Sequence, residues 1–359
     1  MIYRFLFILF ILFSSCSKKK YNYSNSSDNN QINLFTSNLV NSKQNNTLDF
    51  LSFCFFSDNI SVDSLYNVID YLYSINDLEA SVSYAEKIIK IEPNESAHYL
   101  NLAKIYFELS KKPNANPTFP SLVKQNLEKS INLEKENFTA LALMGELLLA
   151  SGNYKESIKF FTKSLKLNYN QEKIHLLLGY SFKQLNEYTK AIDCFRNSLL
   201  INPTFFEANM QLGQIYHLLK DKNAILYYDN AISLEPQNEF VLYNKALFFQ
   251  DMQDWNKALA AYAQLHEINK FHSDGHYNLG FIHMELELYN IAANNFSDAI
   301  YSNSEFFEAY YSRGNCFETL GNVIQAESDY KRAIDINPQY TYAIEALESL
   351  NIKNAKYTK

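Results

Sequence analysis

Long runs of one sign of charge are lacking in this sequence. Its 32 basic and 39 acidic residues are interspersed over 359 positions, for a net charge of −7. The basic face that nucleic acid binding needs is missing, which sets that class of partner aside. Cysteine is scarce: Cys16, Cys54, Cys194 and Cys316 have neither paired spacing nor a CxxC, so neither a disulfide framework nor a zinc module is indicated. The apolar run over residues 5–13 reaches roughly half of the 20 residues that a membrane span requires. Apolar residues nonetheless make up 47% of the chain against 20% charged, ample for a buried core and unlike a disordered protein.

The first segment reads as an address. Arg4 precedes the apolar run, and Ser14-Ser15-Cys16 and then Lys18-Lys19-Lys20 follow it, the layout of a secretory signal with small residues at the cut. Phe13-Ser14-Ser15-Cys16 resembles the lipobox of bacterial lipoproteins, with Phe13 in place of the usual aliphatic residue. That resemblance implies a signal peptide over residues 1–15 and lipidation of Cys16, with several acyl chains giving stable membrane anchoring. Ser17, with no Asp at that place, resembles outer-membrane sorting. Residues 16–47 are rich in Ser, Asn, Lys and Gln and read as a flexible tether. The densely apolar stretch within residues 48–61 is expected to cap the first repeat.

A 34-residue period follows, exposed by aligning Gly314 with Gly280 and Ala326 with Ala292. Eight units start near Val62, Ser96, Phe138, Glu172, Phe206, Glu239, Ser273 and Phe307, and the array runs from 62 to 340. Position eight is mostly small (Gly145, Gly179, Gly213, Ala246, Gly280, Gly314) and position twenty is small again (Ala191, Ala224, Ala258, Ala292, Ala326). Position twenty-four is aromatic in six units: Phe161, Phe195, Tyr228, Tyr262, Phe296 and Tyr330. Small residues opposite a bulky one mark two helices in contact. Pro93, Pro203, Pro236 and Pro338 all fall at position thirty-two, where a helix stops at little cost. Pro113, Pro117 and Pro120 belong to an eight-residue insertion in the second unit, whose first neighbour has Ile69 at position eight.

These residues resemble the tetratricopeptide repeat. The resemblance implies an all-α, right-handed superhelical solenoid of about eight helix-turn-helix repeats, each too small to fold alone and stabilised by its neighbours. Residues 341–350 read as a C-terminal capping helix and 351–359 as a polar tail.

Repeats and caps leave no segment of the roughly 50 residues that a separate enzymatic domain needs, so no catalytic site and no cofactor are expected. In the resembled family, positions two, five, nine, twelve and thirteen of each first helix line a concave groove. Here that implies Leu176, Tyr180, Met210, Gln214, Tyr243, Tyr277, Phe281, Tyr311 and Asn315, with Asn244 and Asn278 beside them to bond a peptide backbone. An apolar, aromatic line of this kind suits an extended or helical partner segment. The basic set that holds an acidic C-terminus is absent, since Lys104, Lys173 and Lys183 are scattered over different units. His272, His276 and His283 are spaced for one helical face and could in number bind zinc, but positions four and eleven are packed between helices, so a structural role is expected and no metal. Cys194 and Cys316 are expected as small core residues. The sequence therefore points to a non-catalytic scaffold or adaptor, lipid-anchored in a bacterial envelope at the outer membrane. The rivals are a binding module for cell-wall glycan on the same groove, a metal-dependent enzyme on the histidines, and self-association.

Overall fold

A computed structural model describes residues 60–357. The signal, Cys16, the tether, and residues 48–59 with Cys54 lie outside the described residues. The chain divides into two compact units, residues 1–202 and 203–359, each built of helices with no strand among the described residues.

In the N-terminal unit four hairpins follow one another: α1 (Val62–Ser74) with α2 (Leu78–Ile91), α3 (Ser96–Ser110) with α4 (Phe119–Leu133), α5 (Phe138–Ala150) with α6 (Tyr154–Leu167), and α7 (Glu172–Gln184) with α8 (Tyr188–Ile201). The C-terminal unit holds four more: α9 (Phe206–Leu218) with α10 (Asn223–Leu234), α11 (Glu239–Asp251) with α12 (Trp255–Ile268), α13 (Ser273–Glu285) with α14 (Tyr289–Ser302), and α15 (Phe307–Thr319) with α16 (Val323–Ile336). A last helix, α17 (Thr341–Tyr357), closes it. This helix runs past Leu350 into residues expected as a tail. Nothing in Asn351-Ile352-Lys353 breaks a helix, and Lys353 Nζ reaches Glu318 Oε1 on α15 at 2.8 Å.

Each hairpin is closed by the same contact. Phe161, Phe195, Tyr228, Tyr262, Phe296 and Tyr330 are all 0% exposed, and five of them press on a glycine of the partner helix. A methyl group built on Gly179 would stand 2.5 Å from Phe195, and one on Gly280 would stand 2.6 Å from Phe296. The first hairpin inverts the sizes, with Ile69 at position eight and Ala85 at position twenty-four in one buried cluster. The bulky residue of the pair comes there from the first helix and the small one from the second.

A buried phenol needs a hydrogen-bond partner where a phenyl ring does not, and position twelve of the first helix answers that need. Tyr262 donates to Gln250 Oε1 at 2.8 Å, Tyr330 donates to Glu318 Oε2 at 2.8 Å, and the Tyr228 hydroxyl lies 3.3 Å from His217 Nδ1. Where position twenty-four is Phe, position twelve is Leu149, Lys183 or Met284. Buried serines at position twenty-seven tie the hairpin a second time: Ser164 and Ser198 donate to the carbonyls of Phe138 and Glu172, both at 2.8 Å.

Every hairpin also turns through one left-handed residue: Asn76, Asn114, Gly152, Asn186, Lys220, Gln253, Glu287 and Gly321. The amide following it commonly reaches back five residues, as Asp254 N to Phe249 O at 2.9 Å and Leu288 N to His283 O at 2.8 Å, which satisfies carbonyls left over at the helix end. In the insertion of the second hairpin, Pro120 stands within the first turn of α4, where proline is tolerated.

Two outcomes follow for stability. Gln250→Leu removes the acceptor 2.8 Å from the Tyr262 phenol and costs about 1–3 kcal/mol, and adding Tyr262→Phe recovers most of that loss; denaturant melts of both variants measure it. Gln253→Gly relieves a side chain held at φ 56° and raises stability by about 0.5–1 kcal/mol, read in the same melts.

Candidate functional site

The expected groove residues do not all reach the surface. In the N-terminal unit Leu176 is 0% exposed and Tyr180 is 9% exposed, its ring edge-on to Phe195 at 5.7 Å. Both belong to the interior of the unit, because small residues on the facing helix let that side of α7 pack closely. Burial on the same helix lowers the Lys183 ammonium to about 8.

In the C-terminal unit the picture is different. Met210, Gln214, Tyr243, Asn244, Tyr277, Phe281, Tyr311 and Asn315 are all partly exposed. Three tyrosines at position five form a regular ladder. Each rests on the position twenty-four ring of its own hairpin and on the ring that ends the repeat. Tyr243 meets Tyr262 at 6.2 Å and His272 at 5.0 Å; Tyr277 meets Phe296 at 5.5 Å and Phe306 at 4.9 Å; Tyr311 meets Tyr330 at 5.9 Å and Tyr340 at 5.5 Å. The hydroxyls of the first two point to position six of the next hairpin, where Asn278 Nδ2 donates to Tyr243 Oη at 3.0 Å and Ser312 Oγ to Tyr277 Oη at 3.5 Å. Burial above all, and then the Asp274 carboxylate, push the Tyr243 phenol upward. Tyr340 is raised by burial first, then by Tyr277, Tyr311 and Glu308.

Each of the three amides also bonds within the protein. Asn278 is 9% exposed and spends its donor on Tyr243. Asn244 donates to Phe240 O of its own helix at 2.6 Å. Asn315 Oδ1 lies 2.7 Å from the Tyr330 hydroxyl. All three brace the scaffold.

The three spaced histidines go to three separate partners. His272 Nδ1 accepts from Gly275 N at 3.0 Å and caps α13, His276 Nε2 sits 2.8 Å from Lys270 O, and Asn295 Nδ2 lies 3.1 Å from His283 Nδ1. Among the described residues no group of three or more His, Cys, Asp or Glu is placed to hold a metal ion. The residue that spacing did not single out is His266 on α12, stacked on His276 with ring centroids 3.9 Å apart. These residues are ten apart and are brought together where α12 meets α13, which the 34-residue register places side by side at positions twenty-eight and four. Cys194 and Cys316 are free and buried. Burial, with a smaller contribution from Asp193, pushes Cys194 up to about 12, and burial pushes Cys316 up to about 11, so neither is a ready nucleophile.

Two models of the tetratricopeptide repeat match this chain, one over residues 307–340 and the other over 138–171, 172–205 and 206–238, so it carries such repeats. BBSome complex member BBS4 of Bos taurus is 20% identical over 294 residues, which cover 81% of this chain and 54% of that protein. TPR repeat-containing protein MJ1428 of Methanocaldococcus jannaschii is 26% identical over 299 residues, 82% of this chain and 47% of that protein. The chain thus spans about half the length of these relatives. The crystal structure of PilW, described as a widely conserved type IV pilus biogenesis factor, superposes with a TM-score of 0.51 at 17% identity, covering 60% of this chain and 96% of PilW. The fold is all-α and of tetratricopeptide type. No helix among the described residues is long and apolar enough to cross a membrane.

The histidine stack sets a pH dependence. Burial first, then His276 and His272, lower His266 from 6.5 to about 4. The unfolded chain therefore takes up this proton before the folded one, and the stabilisation present above pH 6.5 is lost as pH falls toward 4. His266→Phe is expected to flatten that part of the profile of melting temperature against pH.

Proposed function

We propose that this protein is a non-catalytic scaffold or adaptor of a bacterial cell envelope. It is anchored to the membrane, at the outer membrane, through lipidated Cys16, and holds a protein partner against the first helices of its repeats. The observation that carries this reading is the tyrosine ladder of Tyr243, Tyr277 and Tyr311. Its rings are partly exposed, evenly spaced by the repeat, and fixed from behind by a second ring. Rigid aromatic anchors bind at a low cost in side-chain entropy, which suits a recognition surface. Among the described residues Cys194 and Cys316 are buried and His272, His276 and His283 are bonded to separate partners. The names of the relatives, as a complex member and a pilus biogenesis factor, accord with assembly work in those proteins.

A second reading, a cell-wall glycan lying on the same rings, draws on the same exposure of tyrosine faces. In-cell crosslinking separates the two. A photoreactive residue at Tyr277 is expected to capture one defined protein, while the same residue at the turn position Asn186 captures none. Capture of wall fragments alone favours the glycan, and capture of nothing at either position sinks the groove.

A further inference from the structure

The partner face of the C-terminal unit has a one-sided charge. Residues 203–359 carry 20 acidic and 11 basic side chains, a net charge of −9 that exceeds the −7 of the whole chain. The imbalance is concentrated by the way the hairpins dispose of their cations. Lys245 and Arg313, both at position seven, are turned into neighbouring helices: Lys245 Nζ pairs with Asp229 Oδ1 at 2.7 Å. Arg313 makes a two-point contact with Asp329 at 2.7 and 2.8 Å and also reaches Ser297 Oγ at 3.0 Å.

At positions two, five, nine, twelve and thirteen of α9, α11, α13 and α15 the acidic residues are Glu207, Asp251, Asp274, Glu285, Glu308 and Glu318. The one basic residue at those positions is His217, which bonds Asp251 at 2.8 Å. Glu318 pairs with Lys353, but no ion pair among the described residues engages Asp274, Glu285 or Glu308. Asp274 and Glu308 stand at position two, three residues before Tyr277 and Tyr311 on the same helix faces; Asp274 acts on the ladder ring Tyr243, and Glu308 acts on Tyr340, the ring packed 5.5 Å from Tyr311.

We infer that the face formed by Tyr243, Tyr277 and Tyr311 with Asp274 and Glu308 takes a partner segment in which lysine or arginine alternates with apolar side chains. The carboxylates receive the cations, the ring faces receive either the apolar groups or the cations through their negative π surface, and like-charged partners are turned away. This rests on the scaffold reading above and specifies its partner by chemistry.

The test uses the full chain and three short fluorescent peptides, alternating leucine with lysine, with glutamine or with glutamate, read by anisotropy. The lysine peptide is expected to bind, and to weaken as added salt shortens the screening length from about 30 Å to about 3 Å. The pair Asp274→Lys with Glu308→Lys is expected to weaken it about tenfold, near 1.4 kcal/mol. Reversing Glu267 and Glu287, which lie away from these positions, leaves binding unchanged. Tyr277→Ala also weakens it, with circular dichroism checking that the variant folds. Equal binding of all three peptides, still dependent on Tyr277, overturns the charge preference and leaves the scaffold reading standing. Lysine-peptide binding that ignores both Tyr277→Ala and the Asp274 and Glu308 reversal places the cation site elsewhere and overturns the inference. Binding of none of the peptides overturns it too, and the scaffold reading then stands or falls on the crosslinking alone.

Discussion

One contact, between positions eight and twenty-four of the repeat, holds the hairpins shut: beyond the first hairpin, a bulky residue at position twenty-four is pressed into the space left by a small residue at position eight. Burying a ring of this size contributes roughly 1.5–3 kcal/mol, and only close approach of the two helices lets the ring be fully covered. That approach in turn demands the small residues at position twenty, Ala191, Ala224, Ala258, Ala292 and Ala326, all 0% exposed. It also demands a tight turn, supplied by one left-handed residue per hairpin. Glycine serves at Gly152 and Gly321, yet Lys220, Gln253 and Glu287 adopt the same conformation. Packing on both sides overrides the local preference of those residues, at a cost of about 1–2 kcal/mol each.

The same contact decides which groove positions are free to meet a partner. Choosing tyrosine in place of phenylalanine at position twenty-four places a buried hydroxyl in the hairpin, and the group that satisfies it comes from position twelve of the first helix. Gln250 and Glu318 face the groove in the register of the repeat, yet they are engaged from within. The tyrosines at position five remain as the exposed aromatic element, and they are rigid because the buried ring supports them from behind. The proposed recognition surface is thus an outer layer of the packing that closes the hairpins.

Interleaved charge along the sequence conceals a separation in space. Cations at position seven are drawn into pairs such as Arg313 with Asp329, the aspartate side chain 8% exposed. Carboxylates at position two have no such counterpart. Removing one partner of a buried pair of this kind leaves an uncompensated charge, so the arrangement is fixed by stability as well as by any partner. At the junction of α12 and α13 burial and the stacked His276 ring disfavour the charged form of His266.

The repeat, its period and the faces of its helices are legible in the order of the amino acids, because the small–large contact recurs every 34 residues and leaves the same residue types at the same positions. The inverted pair Ile69 and Ala85 departs from that pattern in the first hairpin, which the period places nonetheless, and the absence of a helix breaker after Leu350 is a weaker signal than the polar composition there. Which of the expected groove positions are open is set by packing between helices. Exposure of Tyr277, burial of Leu176 and engagement of Asn278 depend on what the neighbouring helix presents, and a side chain's position within its own repeat does not contain that information.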